Sequence, residues 1–397
     1  MGNRIVKYAV VLILAAAAAL SVYQGVGNAL KFSQDFQWDA AKALSQRIDP
    51  YELSLDPQKA ADYPSLEEFY RMFTDNGLKQ KMEANQFPSL LMLLFPMTLF
   101  GPQTAKTVWC VLNLLFTAGI IVLLRKTFFK TADLFGYTVI TLLMLAGTPY
   151  RNQLGVGQHT LFAFFFFMLA VYLDRKPIAK GAMMNSIAMT AALCVSYFKY
   201  TLTAPLALYF LYRRRYKEFV ASIVIHIAMT DWCAAWLGKS FVYMLTAPLK
   251  VASALVSEGG IDLGVIFGGP AGYGIAFAVA AVLTFMTFRF PEGYDNVLLA
   301  ILIMWSLVLT YHRTYDFFVL SAVYMLFLKE KEDAGDTMSR KDIKIWYFIL
   351  LVMVYFMLRV FDENALSKIV TGIVYYAFTL FITYGGIKLI RMEDHEQ

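Results

Sequence analysis

The chain is poor in charge, in cysteine and in histidine, and each shortage excludes something. Charged residues are only 16% of the 397 residues, against roughly 25% in an ordinary soluble domain, while hydrophobic residues reach 59%. Such a chain is a polytopic membrane protein, in which every backbone group in the bilayer must be bonded inside a helix or a closed barrel. Its apolar runs lack the two-residue alternation of barrel strands, so the fold class is all-α. The three cysteines, Cys110, Cys194 and Cys233, lie apart in apolar runs. They form neither a disulfide framework nor a metal-binding spacing, and read as small buried residues. Of four histidines, His226 stands alone on an apolar stretch and His395 lies in the tail. A phosphate-binding loop, a dinucleotide fingerprint and a zinc-protease motif are all missing. The net charge of +6 comes without a basic stripe interleaved with aromatics, which points to loops facing anionic lipid and away from nucleic acid.

What is present is a series of apolar runs. With about 20 residues needed per crossing, the candidates are 5–26, 104–124, 134–149, 158–173, 181–197, 199–212, 218–237, 271–288, 295–311, 316–328, 345–360 and 369–388, twelve in all. Residues 1–23 have the layout of a signal peptide, but the apolar stretch continues nearly to Leu30, so an uncleaved first helix is expected. The short apolar stretch 88–100, interrupted by Pro96, is read as an interfacial helix. If it does not cross, the basic groups at Arg125-Lys126-Lys130, Arg175-Lys176-Lys180, Arg213-Arg214-Arg215-Lys217 and Lys329-Lys331 all share a side with Arg4, as the positive-inside rule asks. Both termini are then cytoplasmic. Residues 1–397 form a single integral-membrane domain, with 31–103 as a first external loop carrying juxtamembrane helices. The stretches 150–157, 238–270 and 361–368 are read as further external loops, and the balanced segment 329–344 as a solvated linker.

The first loop holds seven basic residues against ten acids over 31–87. Residues 34–47 have the pattern of an amphipathic helix, ended by Asp49-Pro50-Tyr51. Asp35 opens this loop at the bilayer edge, where partial desolvation raises a carboxylate's proton affinity, as a general base requires. Asp39, four residues on, shares a helix face with it and suits hydroxyl binding. The plain alternative for both is helix capping or a wet face. Far downstream, Tyr311-His312-Arg313-Thr314-Tyr315-Asp316 offers charge-assisted donors to a phosphate, with Asp316 placed to fix the imidazole or the guanidinium. The alternative there is an aromatic belt anchoring a helix end. Lys199, between two apolar runs, either snorkels or meets an anion. Arg151, Gln158 and His159 occupy a turn in which Gly155 and Gly157 let backbone approach a ligand.

Taken in order, these pieces resemble the family 87 glycosyltransferases, polyprenol-phosphate-mannose-dependent mannosyltransferases of the GT-C superfamily. The resemblance rests on Asp35-Phe36-Gln37-Trp38-Asp39 through Leu44, Asp49-Pro50-Tyr51, Phe87-Pro88, Gly157-Gln158, Phe198-Lys199 with Pro205 and Arg213-Arg214-Arg215, and Tyr311 to Phe317. It implies a GT-C-like helical bundle and an inverting transfer of a sugar (mannose, or another hexose or pentose) from a polyprenyl-phosphate donor on the extracytoplasmic face of the cell membrane. The acceptor would be a glycan or a lipid-linked sugar. Asp35 matches the aspartate that acts as base, and His312 the late histidine near the donor phosphate. The loop 52–87 has no counterpart in the family pattern. No cofactor is implied, and a divalent metal is possible without being required. Two other readings stay open: a multi-span transporter or lipid flippase, which would show paired half-repeats and mid-span polar groups, and a polysaccharide polymerase or ligase using a diphosphate lipid.

Overall fold

Apolar runs bounded by Pro, Gly and polar caps should close their backbone bonds internally, and in a computed structural model of the chain they do. The structure describes all residues except 1, 57–62, 76, 78–80, 130–133, 177–181, 256–259, 268, 325–344, 346, 358–364 and 396–397. Among the described residues there is helix and no strand. The linker 329–344 and residues 361–364 of the loop 361–368 lie outside the described residues, and 365–368 are helical.

The first helix, α1 (Gly2–Lys31), leads into the loop segment 32–37. Three short helices follow: α2 (Trp38–Ser45), α3 (Pro50–Leu55) and α4 (Pro64–Thr74). The helix expected over 34–47 starts only at Trp38, because Gln37 has φ 60°, a left-handed conformation that a helix cannot include. Asp49-Pro50-Tyr51 begins a helix where the sequence suggested an end. The Asp49 carboxylate accepts from the backbone N–H groups of Tyr51 and Glu52, with Pro50 at the first helical position. Next come α5 (Pro88–Leu91), continued as a 3-10 stretch Met92–Leu99 around Pro96, and α6 (Pro102–Thr127).

The expected span 134–149 stops early. Helix α7 (Leu134–Ala146) ends before Gly147, and the chain restarts as α8 (Thr148–Gly155) with Pro149 in its first turn. The region 150–157 is therefore mostly helix. After a sharp bend of 108° it continues as α9 (Thr160–Arg175), then α10 (Ala182–Ser196). The expected span 199–212 is broken. A 3-10 turn, Tyr197–Lys199, precedes α11 (Tyr200–Leu206), and Pro205 with the turn at Ala207 separates it from α12 (Leu208–Tyr212). Helix α13 (Tyr216–Leu237) is followed by α14 (Phe241–Leu255) and α15 (Leu263–Phe267), both inside the expected loop 238–270. The chain goes on with α16 (Gly269–Arg289), α17 (Asp295–Leu309), a 3-10 stretch Thr314–Val319, α18 (Leu320–Val323), a π-helical turn Met353–Met357 and α19 (Ala365–His395).

Five described helices are long and apolar enough to cross a membrane, or six if the bent α8–α9 pair counts as one. The twelve expected spans are not established. The difference has a physical cause: hydropathy cannot tell a lipid-facing helix from one buried in protein. Helix α17 has 15 residues, about 22 Å at 1.5 Å each, short of a hydrocarbon core of about 30 Å. Thirteen of its residues are buried by protein. Helix α13 has 22 residues and buries only five of them, so its apolar surface is left for lipid. The largest apolar core runs through α7, α9, α17 and α18. Two smaller cores seat the first loop: Phe36, Trp38, Phe69 and Phe73 pack on Trp109 and Phe198, while Ala40, Leu44, Tyr51 and Leu66 pack with Cys233 and Met244.

Candidate active site

Four interruptions of helix meet at one place. They are the segment 32–37, the α8–α9 bend at 156–159, the 3-10 turn Tyr197–Lys199 and the stretch 310–319. Broken helices leave backbone and side-chain polar groups free to face a cavity, which is where membrane proteins tolerate them. The backbone fixes the first two together. Asp35 N–H donates to Val156 O at 2.9 Å, a His159 ring nitrogen lies 2.8 Å from Phe36 O, and the Trp109 indole donates to Gly157 O at 2.8 Å. Gly157 has φ 68°, and a Cβ there would stand 2.9 Å from Ser33 Cβ, so no other residue fits. Ser33 (φ 44°) and Gln37 (φ 60°) bracket Asp35 in left-handed backbone. Each costs of order 1–3 kcal/mol, strain that the surrounding packing imposes to present Asp35.

Asp316 organises the opposite wall. Its side chain is fully buried, with one oxygen 2.7 Å from His312 Nδ1 and 3.4 Å from Lys199 Nζ. Its other oxygen accepts from the Thr160 hydroxyl at the start of α9. The backbone is extended at Thr310 and Arg313, so successive side chains alternate. Tyr311 and Arg313 line a cleft, while His312, 1% exposed, points inward to Asp316. Tyr315 turns back to the cleft and its hydroxyl accepts from Gln158 Nε2 at 2.8 Å. The same nitrogen lies 3.3 Å from Asp35 Oδ2.

The cleft is small, about 40 Å³, and partly open. Asp35, Gln158, His159, Tyr311, Arg313 and Tyr315 line one part, and Gln37, Glu83, Asn85 and Gln86 line the other. Burial raises the proton affinity of Asp35 above the ordinary carboxylate value of 3.8, and the charges of Arg313 and Lys199 partly oppose this. A carboxylate so placed can take a proton from a hydroxyl, while the cations beside it can hold an anionic group. Beyond the cleft an apolar groove of about 270 Å³ runs past Phe87, Tyr197, Tyr200, Phe219 and Ile223. The Phe87 and Tyr200 rings, 5.0 Å apart, adjoin in sequence Gln86 of the cleft and Lys199 behind it.

The structure thus brings Asp35, Gln158, His159 and Arg313 to one cleft, with Lys199, His312 and Asp316 directly behind. Two other sequence candidates sit elsewhere. Asp39 spends one oxygen on Ala40 N–H and the other on the Tyr70 hydroxyl at 2.9 Å, which docks α4 on α2. Burial raises its pKa to about 6 despite these bonds. Arg151 reaches Gln24 of α1 at 3.2 Å and its neighbour Asn152. Sequence reasoning missed Gln37 and residues 83–86, whose only signal was a carboxamide pair, Asn85-Gln86, just before Phe87-Pro88. It also missed Asp262, 3% exposed. A Cβ at Gly260 would lie 2.7 Å from Asp262 Oδ2 and 3.2 Å from His312 O. Among the described residues, no three His, Cys, Asp or Glu side chains group as metal ligands would.

Residues 88–326, more than half of the chain, match Glycosyltransferase family 87. The matched stretch includes Gln158, His159, Lys199, His312, Arg313 and Asp316, and begins after Asp35, Asp39 and the wall 83–86. Neither a curated protein nor a solved structure matches the chain. With a family match over most of its length and a bundle containing at least five helices fit to span a membrane, the chain belongs to glycosyltransferase family 87 and is a membrane glycosyltransferase.

Proposed function

We propose that this enzyme transfers a sugar from a polyprenyl-phosphate donor to a hydroxyl of a glycan or lipid-linked acceptor, with inversion at the anomeric carbon. One observation carries the reading: the raised carboxylate of Asp35 shares a cleft with Arg313, and with Lys199 and His312 directly behind. In this reading Asp35 removes the acceptor's proton as the oxygen attacks the anomeric carbon from the face opposite the phosphate. The bond from that carbon to the phosphate oxygen breaks, and polyprenyl phosphate leaves. Arg313, Lys199 and His312 stabilise the charge that grows on it, where fixed donors act most strongly. Asp316 holds the last two in place. The donor's polyprenyl tail occupies the apolar groove past Phe87 and Tyr200. Mannose, or another hexose or pentose, is the sugar the family resemblance suggests. The positive-inside pattern of the basic loops supports a site on the extracytoplasmic side with both termini in the cytoplasm.

The test is transfer from a polyprenyl-phosphate hexose by purified wild type, Asp35→Asn and Asp35→Ala. Loss of the base lowers turnover by roughly 10²–10⁴-fold, with thermal stability retained. Wild-type turnover in both variants would remove Asp35 from the chemistry.

A further inference from the structure

The part of the cleft outside the family match carries a feature that catalysis and donor binding do not use. Gln37 and Gln86 are 7% and 6% exposed, and each has a side-chain amide oxygen buried without a hydrogen-bond partner in the fold. Both residues line the cleft beside Asp35. Buried amide oxygens are nearly always paired in proteins, so two orphans on one wall are a costly omission unless a ligand completes them. Their placement is fixed by the fold. Gln37 Nε2 donates to Glu83 O at 2.9 Å, which ties the residue before α2 to the segment 83–86 and sets the amide plane. The Tyr51 hydroxyl donates to Gln86 O at 2.8 Å and anchors the other end of that segment. Asn85 completes the wall. The left-handed backbone at Gln37 keeps its side chain two residues from Asp35 and in the same cavity.

We infer that Gln37, Asn85 and Gln86 form the acceptor subsite, which reads the hydroxyl groups of a neutral sugar and delivers one of them to Asp35. The inference rests on the transferase reading above. Carboxamides suit this ligand because each offers both a donor and an acceptor without charge, as a sugar hydroxyl does. Glu83, which lines the cleft with these carboxamides, disfavours an anionic acceptor there. A site built to pair hydroxyls discriminates strongly against an analogue lacking one, because the protein atoms are then left unpaired. Since 83–86 and Gln37 precede the matched residues 88–326, acceptor choice in this chain is encoded apart from the donor machinery.

The experiment uses the full chain in lipid nanodiscs with a polyprenyl-phosphate hexose as donor. The acceptors are n-octyl hexopyranosides, the corresponding methyl glycosides and their mono-deoxy analogues. Gln37→Leu and Gln86→Leu are each expected to raise the octyl-glycoside KM about tenfold, the worth of one or two hydrogen bonds, with donor KM within about twofold. For each variant one deoxy acceptor should show no further loss, because the hydroxyl and its reader are already uncoupled. Gln86→Glu should weaken the acceptor similarly while keeping the side chain's size. Equal response of octyl and methyl glycosides assigns recognition to the sugar alone, and a penalty confined to octyl glycosides assigns it to the lipid and overturns the inference. Unchanged acceptor KM in all three variants, with the wild type active, overturns the subsite and leaves the transferase reading intact. A wild type that transfers to no acceptor from any polyprenyl-phosphate donor removes both.

Discussion

Two buried aspartates stand at the two ends of α9, and their surroundings diverge. At the far end Asp174 meets Arg213 Nε at 2.8 Å, Arg215 Nε at 2.5 Å and the Tyr209 hydroxyl at 3.1 Å. Arg213 goes on to Asp295 of α17 at 3.2 Å, and Arg175 to Asn296 at 2.9 Å. At the near end Asp316 meets Thr160, His312 and Lys199. Both acids are 0% exposed at the side chain. The cations differ. The arginines around Asp174 are about one-third exposed, planar and permanently charged, which suits a fixed staple. His312 and Lys199 are 1% and 11% exposed at the side chain and stand behind a cleft. An imidazole and an ammonium can reorient toward an incoming anion. The same residue type thus clamps helices at one end and presets a site at the other.

The contrast can be broken most severely at Asp316. Asp316→Asn should lower transfer kcat/KM by about 100-fold, a loss within the range for a displaced electrostatic group, with a melting temperature close to wild type. A drop in stability with full activity per folded molecule would make Asp316 a second staple. Asp174→Ala should do the reverse. It leaves two guanidiniums without their partner and should cost about 2–3 kcal/mol, less than the 3–5 of a sealed pair because the arginines are partly wet. Specific activity of the folded fraction should hold, and urea or thermal unfolding in detergent measures the loss.

The pH dependence sharpens the comparison further. Asp35 must be ionised to act, and burial raises its proton affinity above 3.8. Activity should therefore fall as pH drops through a midpoint above that value, by about tenfold per unit below it. A pH–rate profile locates the limb, and a midpoint at or below 3.8 would contradict the raised affinity. The smallest effect concerns Asp39. Its folded pKa is raised to about 6 from 3.8, so between these values the folded state binds more protons than the unfolded one. Stability then declines as pH rises through that window. Asp39→Asn should flatten this decline, and melting curves at pH 4 and pH 6 that differ by less than about 2 °C would register it.

Much of the site was legible as residue types and little of it as geometry. Asp35, Gln158 and Arg313 stood out as polar groups next to apolar runs, and they do share a cleft. Asp39 stood out for the same reason and packs against Tyr70 instead. Helical spacing places two side chains on one face only when both lie in a helix, and Asp35 precedes α2. The pairing of Gln37 with Glu83 spans 46 residues and crosses a loop without periodicity, so nothing local announced it. The span count stays open for a related reason: α17 is apolar yet almost wholly covered by protein, and hydropathy does not record which neighbour covers a residue.

By itself the sequence determined that the chain lives in a membrane, that it is helical, and that acids and cations collect beside its spans. Those properties follow from transfer free energies and backbone hydrogen bonding, which act residue by residue. Tertiary structure alone decided which helices are too short or too buried to face lipid, which aspartate meets the cleft, and which carboxamides stand opposite it. Those outcomes depend on breaks in helices distant along the chain closing on one another, and no local rule of charge or hydropathy contains that information.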